Sequence, residues 1–310
     1  MLKRFSAVST LLFVFSFSAA LLGNESAQKY FPSILGSYWV YEDQDGNELT
    51  RRAIEGEEIA GETYHAFEYE PELEDWADYI PFIHPFLYQF GDAGITLVVG
   101  DEVEKAVKAR LTKEMEIFSK LAKNSLENNS PSEFDLTVNL NYDVEVEAEN
   151  RFNFLPVQMV SDEEWDAIQI SAKITMQYNI QGLPDFQGAP ELPEITLDFT
   201  ILETGKILGT ETVETEAGTF EDCLKVEYRT ETTAIITSDP PPGQVNPPGE
   251  TVTTVWYAPN VGIVKVKQKS GYLLLDMLPA EAGIPMPADP KEKTLELKKY
   301  EIKMDTAEVE

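Results

Sequence analysis

With 55 acidic against 24 basic side chains in 310 residues, and a formal net charge of -31, the chain is built against nucleic acid and anionic lipid surfaces, which select for Lys and Arg patches. A single cysteine, Cys223, rules out an intramolecular disulfide in any compartment.

In chain order, Lys3-Arg4 precedes an apolar run over residues 11–22, the pattern of a secretory signal peptide, shorter than the ~20 apolar residues a membrane span needs. Cleavage is expected between residues 20 and 27. That divides the chain into a signal peptide, 1–27, and one large β-rich domain, 28–310. Leu21-Leu22-Gly23 resembles the approach to a lipidation site, but Asn24 stands where cysteine is required. The expectation is an exported protein, periplasmic or extracellular, without a lipid anchor or stable membrane insertion.

Ser37 to Tyr41 alternates as an aromatic strand, and Asp43-Gln44-Asp45-Gly46-Asn47 follows it. This segment has the first three acidic or amide positions of a calcium loop. Ile54, however, falls where a bidentate Glu is needed and Glu48 replaces the glycine, so the residues predict a hairpin tip.

Residues 71–90 crowd Trp76, Tyr79, Ile80, Phe82, Ile83, Phe86, Leu87, Tyr88 and Phe90 around Pro81 and Pro85. Prolines at that spacing predict an irregular excursion rather than a central strand or an unbroken helix. Its aromatics serve either as a core plug or as a lid over an apolar ligand. In the second case Trp76, Tyr79, Phe82, Phe86 and Tyr88 are the candidate ligand-binding residues. The two histidines, His65 and His84, have no second nitrogen or sulfur ligand near them in sequence, so neither a metal site nor a cofactor is expected.

From about 101 to 128, Val103, Val107, Leu111, Met115, Phe118, Leu121 and Leu126 recur at helical spacing behind Asp101-x-x-Glu104, read as a variant capping box. Three long alternating strands are predicted at 134–149, 167–180 and 195–202. A proline-rich tip spans 239–249, and a closing strand spans 294–303. The fold class is mainly β: a curved antiparallel sheet or half-barrel with the one long amphipathic helix packed across it.

Between Gly209 and Gln268 lies the densest pattern. Ala217-Gly218-Thr219-Phe220 leads through Cys223 to Lys225-Val226, and Trp256-Tyr257-Ala258-Pro259-Asn260-Val261-Gly262-Ile263-Val264-Lys265 follows. Period-two alternation and tight-turn residues predict an antiparallel meander. Cys223 reads as a small residue packed within its strand, since Glu221 and Glu227 nearby oppose a reactive thiolate. The pairing of these two blocks, with Tyr30-Phe31-Pro32 and Gly36-Ser37-Tyr38-Trp39-Val40-Tyr41 earlier, resembles a family of exported bacterial β-rich domains of unknown function, with Glu216 in the place of a proline. The resemblance implies a fold and carries no catalytic residues.

No nucleophile elbow, phosphate loop or His-Glu-x-x-His motif is present, and abundant carboxylates carry little information in so acidic a chain. The function expected is non-catalytic binding or carriage of an apolar small molecule or lipid. The alternatives are a cell-envelope protein-protein interaction module, working through the proline-rich tip or a sheet edge, and a hydrolase with two distant carboxylates.

Overall fold

The computed structural model describes residues 27–72, 86–91, 94–129, 137–181, 194–238, 245–278 and 292–304. The strands in chain order are β1 (Tyr38–Asp43), β2 (Glu48–Ile59), β3 (Glu62–Glu70), β4 (Leu87–Gly91) and β5 (Gly94–Val98). After helix α1 (Gly100–Asn129) come β6 (Thr137–Ala148), β7 (Arg151–Pro156), β8 (Glu164–Gln181), β9 (Ile195–Thr215), β10 (Gly218–Thr237), β11 (Thr251–Ala258), β12 (Gly262–Ser270) and β13 (Lys293–Glu301). Among the described residues these thirteen strands form one antiparallel sheet in the order β6-β8-β9-β10-β11-β12-β13-β1-β2-β3-β4-β5-β7, which does not close into a barrel.

Alternation sets the two faces of the sheet. Along β9, Leu197, Phe199, Ile201, Glu203 and Ile207 are buried, while Asp198, Thr200 and Leu202 point outward or sit half-buried. At 21 residues β9 runs straight past Gly205, where a boundary was predicted, because the glycine supplies clearance rather than a break. A Cβ there would stand 2.3 Å from the Trp165 ring. Bulges between Phe220 and Cys223 and between Lys225 and Val226 bend the central hairpin. The first of them leaves Cys223 and Leu224 both fully buried, so the thiol is packed as expected, with burial pushing it up to about 11.

Each strand needs a second layer, and two supply it. Under β6, helix α1 buries Val103, Ala106, Leu111, Met115, Phe118 and Ala122, with Val107 half-buried among them, as one face of the helix. The carboxylate of Glu114 fixes the helix to the chain opposite: it accepts from the backbone N–H groups of Leu273 (3.0 Å), Leu274 (2.7 Å) and Leu275 (3.3 Å), capping the short 3-10 turn Leu275–Met277 from a distance. Arg110 donates to Thr251 Oγ1 and to the Gly271 carbonyl beside it. Glu104, predicted to cap its own helix, instead accepts from the Ala148 N–H at the end of β6 (3.1 Å).

Toward the other end the layers are aromatic. Tyr41, Tyr228, Tyr257, Phe152 and Phe154 are fully buried, with the Tyr228 hydroxyl donating to the Phe154 carbonyl at 2.6 Å. The Arg51 guanidinium lies on the Phe67 ring at 3.3 Å and close to Phe31 and Trp39, with the Tyr41 and Tyr69 hydroxyls nearby. Here the curled sheet almost meets itself. β7 faces the start of β8 through side chains instead of a ladder, Asn153 Nδ2 donating to the Asp166 carbonyl (3.1 Å) and Trp165 Nε1 to the Asn153 carbonyl (2.8 Å).

Several boundaries differ from the sequence expectation. The proline-broken stretch read as irregular through residue 90 becomes regular at Leu87, just past Pro85, where β4 pairs with β3 and β5. β7 was not anticipated; its six residues are too few to display a period. The acidic tip after β1 is a hairpin, its Asp43 carboxylate turned inward to accept from the N–H groups of Asp45 (2.9 Å) and Asn47 (2.8 Å) and from Asn47 Nδ2 (2.9 Å).

Candidate functional site: a groove under the N-terminal strap

The chain enters the described fold as a strap, residues 27–37, laid across the open end of the aromatic core. A 3-10 turn, Ala27–Tyr30, places Tyr30 and Phe31 inward, both nearly inaccessible. Phe31 reaches Tyr88 (4.8 Å between ring centroids), Phe154 (5.2 Å) and Phe67 (5.7 Å), edge to face in each case. The β11–β12 turn holds the strap down, the Asn260 N–H donating to the Lys29 carbonyl at 2.7 Å. Trp39 Nε1 donates to the Val261 carbonyl at 2.6 Å from beneath.

Between strap, turn and strands opens a groove of about 360 Å³. Phe31, Pro32, Ile34, Phe90 and Ile302 make its apolar surface, and Gln28, Ser33, His65 and Asn260 its polar one. Among the described lining residues His65 is the one titratable side chain; burial holds its imidazole below the usual value, toward the neutral form.

Behind the lining stands Tyr88. Its ring stacks on Phe67 (4.8 Å) and on His65 (5.2 Å) and meets Phe90 edge-on (5.6 Å). Three lining residues, Phe31, His65 and Phe90, thus rest on one buried ring. The Tyr88 hydroxyl is enclosed near Ser33 without reaching hydrogen-bond geometry, and burial raises it to about 12.

Of the five residues singled out in the sequence, Trp76, Tyr79 and Phe82 lie outside the described residues, as does His84. Tyr88 is 1% exposed and supports the groove from within, whereas Phe86 is 43% exposed and leans on Tyr69 at 5.5 Å, at the far end of the same aromatic row. Phe90, counted in the aromatic crowd but not singled out, is the member that lines the groove. Alternation along β4 could have found it, since Phe86, Tyr88 and Phe90 share one parity. The strap residues Tyr30-Phe31-Pro32 entered only through the family resemblance and gave no signal of a site, because their role arises from packing across the whole length of the chain.

Among the described residues no three His, Cys, Asp or Glu side chains gather as a metal site would require, and no described helix is long and apolar enough to cross a membrane. Residues 193–271, spanning β9 to β12, match the DUF3108-like family. No curated protein matches the chain. Two solved structures are similar. One, from Parabacteroides distasonis and provisionally described as a lipoprotein, is 16% identical, with 88% of this chain and 98% of that one covered and a TM-score of 0.31. The other, from Bacteroides fragilis, is provisionally described as an exported protein with YmcC-like fold; it is 14% identical over the same shares, with a TM-score of 0.36. At such scores neither likeness bears on the chemistry.

Proposed function

We propose that this is an exported, non-catalytic binding protein of the cell envelope that takes an apolar small molecule with one polar end into the groove beneath its N-terminal strap. The reading is carried by the groove itself. Its volume of about 360 Å³ lies at the lower end of the ~300–1,000 Å³ found for small-ligand sites, and a few polar groups beside an apolar wall are what such sites use to orient a ligand. The rigid backing favours binding further, because a wall already fixed by Tyr88, Phe67 and Phe154 loses little entropy when a ligand arrives. Among the described lining residues His65 is the one titratable side chain, held toward the neutral form by burial, and no described acid or base stands beside it in the lining, which supports binding over catalysis. The apolar signal-like run at residues 11–22 supports export.

The test uses the exported protein purified from cells and N-phenyl-1-naphthylamine, a neutral probe that the net charge does not repel. Fluorescence enhancement saturating near one probe per chain is expected. Ile34→Asp and Ile302→Asp, both half-buried on the lining, should weaken binding about tenfold or more while Tm moves by only a few degrees. Wild-type protein that fails to bind, or variants that bind as tightly, would overturn the assignment.

A further inference from the structure

The long arm of β10 outruns its neighbour. β11 pairs with it only as far as Arg229–Val252, and the ladder then ends at a side chain. The Thr230 hydroxyl accepts from the Thr251 N–H at 2.8 Å and donates to the Thr251 carbonyl at 3.3 Å. The chain before β11 turns away, tied by the Asn246 N–H to the Met277 carbonyl and by Asn246 Nδ2 to the Leu278 carbonyl, both at 3.0 Å. Residues Glu231 to Thr237 continue in unbroken register with β9 on one side, and on the other side no described strand pairs with them.

The two end strands of the described sheet are guarded. β6, at one end, turns Asn139, Asn141, Asp143, Glu145 and Glu147 to solvent, a picket that repels an incoming strand. β7, at the other end, is short, and its free side is taken up by Trp165 and Asn153. Among the described residues the β10 arm has none of these devices. Thr230-Glu231-Thr232-Thr233-Ala234-Ile235-Ile236-Thr237 contains no lysine, proline or bulge, is almost entirely β-branched, and carries one charge in a chain where a quarter of residues are charged. Ile235 is 67% exposed on the outer face, and the Thr232 hydroxyl is buried with no partner.

We infer that Glu231–Thr237 is the acceptor edge for an extended segment of another protein, added to the sheet as a further antiparallel strand. The cross-strand rows define that segment. Glu145, Lys173, Asp198 and Ile235 lie in one outward row, so the incoming residue opposite Ile235 is apolar. The next row, Glu147, Ser171, Thr200 and Thr233, calls for a hydroxyl residue, and Glu231 beyond it calls for a lysine or arginine. A second copy of this chain is disfavoured, because two bodies each of net charge -31 repel. The inference stands independently of the groove.

The probe is the capped peptide Thr-Val-Ile-Val-Thr-Ser-Lys-Val, which in antiparallel register sets its Ile against Ile235 and its Lys against Glu231. With the exported protein it should slow hydrogen exchange within 231–237 and form a one-to-one complex in native mass spectrometry. Ile235→Lys, which supplies the missing guard at an exposed position, should lower affinity by about tenfold or more. Glu231→Lys should reverse the preference toward the peptide carrying Glu in place of Lys. Three outcomes overturn the assignment: no protection at millimolar peptide, equal affinity in Ile235→Lys, or an edge already protected in a dimer without peptide.

Discussion

Single buried polar groups set how this protein responds to pH. Glu203 lies on the inner face of β9, opposite Ile168 of β8 and Thr230 of β10, with Tyr228 as the ionisable neighbour, and burial raises its carboxyl from 4.5 to about 7. An acid whose folded value lies above its unfolded value stabilises fully below the unfolded one. As pH rises past 4.5 the unfolded chain sheds the proton while the folded chain keeps it, so stability falls until about pH 7 and then levels. The loss integrates to about 3 kcal/mol. Chemical denaturation from pH 4 to 8 should show this decline in wild type and a flatter profile in Glu203→Gln; parallel profiles would mean that Glu203 ionises freely in the fold. Tyr228 tests hydrogen bonding instead of charge. Tyr228→Phe removes the hydroxyl that donates to the Phe154 carbonyl and its 3.3 Å contact with the Tyr257 hydroxyl, at an expected cost of about 1–3 kcal/mol in urea unfolding.

Between elements, two junctions concentrate the stability. Glu114→Ala strands three backbone donors at the 3-10 turn and frees Arg110 from its 3.5 Å ion pair, so a loss of about 3 kcal/mol or more is expected in the same assay. Gly218, at the start of β10, has φ +137 with open space around its missing Cβ, so strain rather than collision opposes a side chain there. Gly218→Val should lower Tm measurably, and melting like wild type would show that the β9–β10 turn tolerates another conformation. The sequence foretold this turn, since Ala217-Gly218 punctuates two alternating runs; it also foretold α1, whose stripe repeats over many turns. It did not foretell that Glu114 would cap another segment, because capping leaves a local signature only when donor and acceptor belong to one turn. For the same reason the groove was half visible. Phe86, Tyr88 and Phe90 were conspicuous as aromatics, but which one faces the groove depends on the β3–β4 register and on a strap remote from both in sequence.

Charge governs the molecule as a whole. Many strand cations are already matched: Lys298 bridges Glu42 and Glu48, Lys265 meets Glu296 at 2.6 Å, and Arg229 meets Glu250 at 2.5 Å and Glu227 at 3.2 Å. Screening such exposed pairs costs little, whereas screening the surplus acids relieves repulsion over the whole surface. Raising sodium chloride from about 0.05 to 1 M, where the Debye length shortens to ~3 Å, should therefore raise Tm; a fall would mean that the pairs outweigh the surplus. The order of strands has a temporal consequence. β13, the last strand, lies between β12 and β1, so the first strand of the sheet pairs with the last, Tyr38 against Glu301. Until residues 293–301 are available, β1 and β12 each lack a neighbour and Leu295 and Leu297 are missing from the core. A chain made or threaded from its N-terminus cannot complete its sheet early, and loop closure over nearly its whole length makes the final pairing slow. Such a sheet stays incomplete until β13 has arrived, which fits the export proposed above, since a chain threaded through a narrow channel has to stay unfolded on the way.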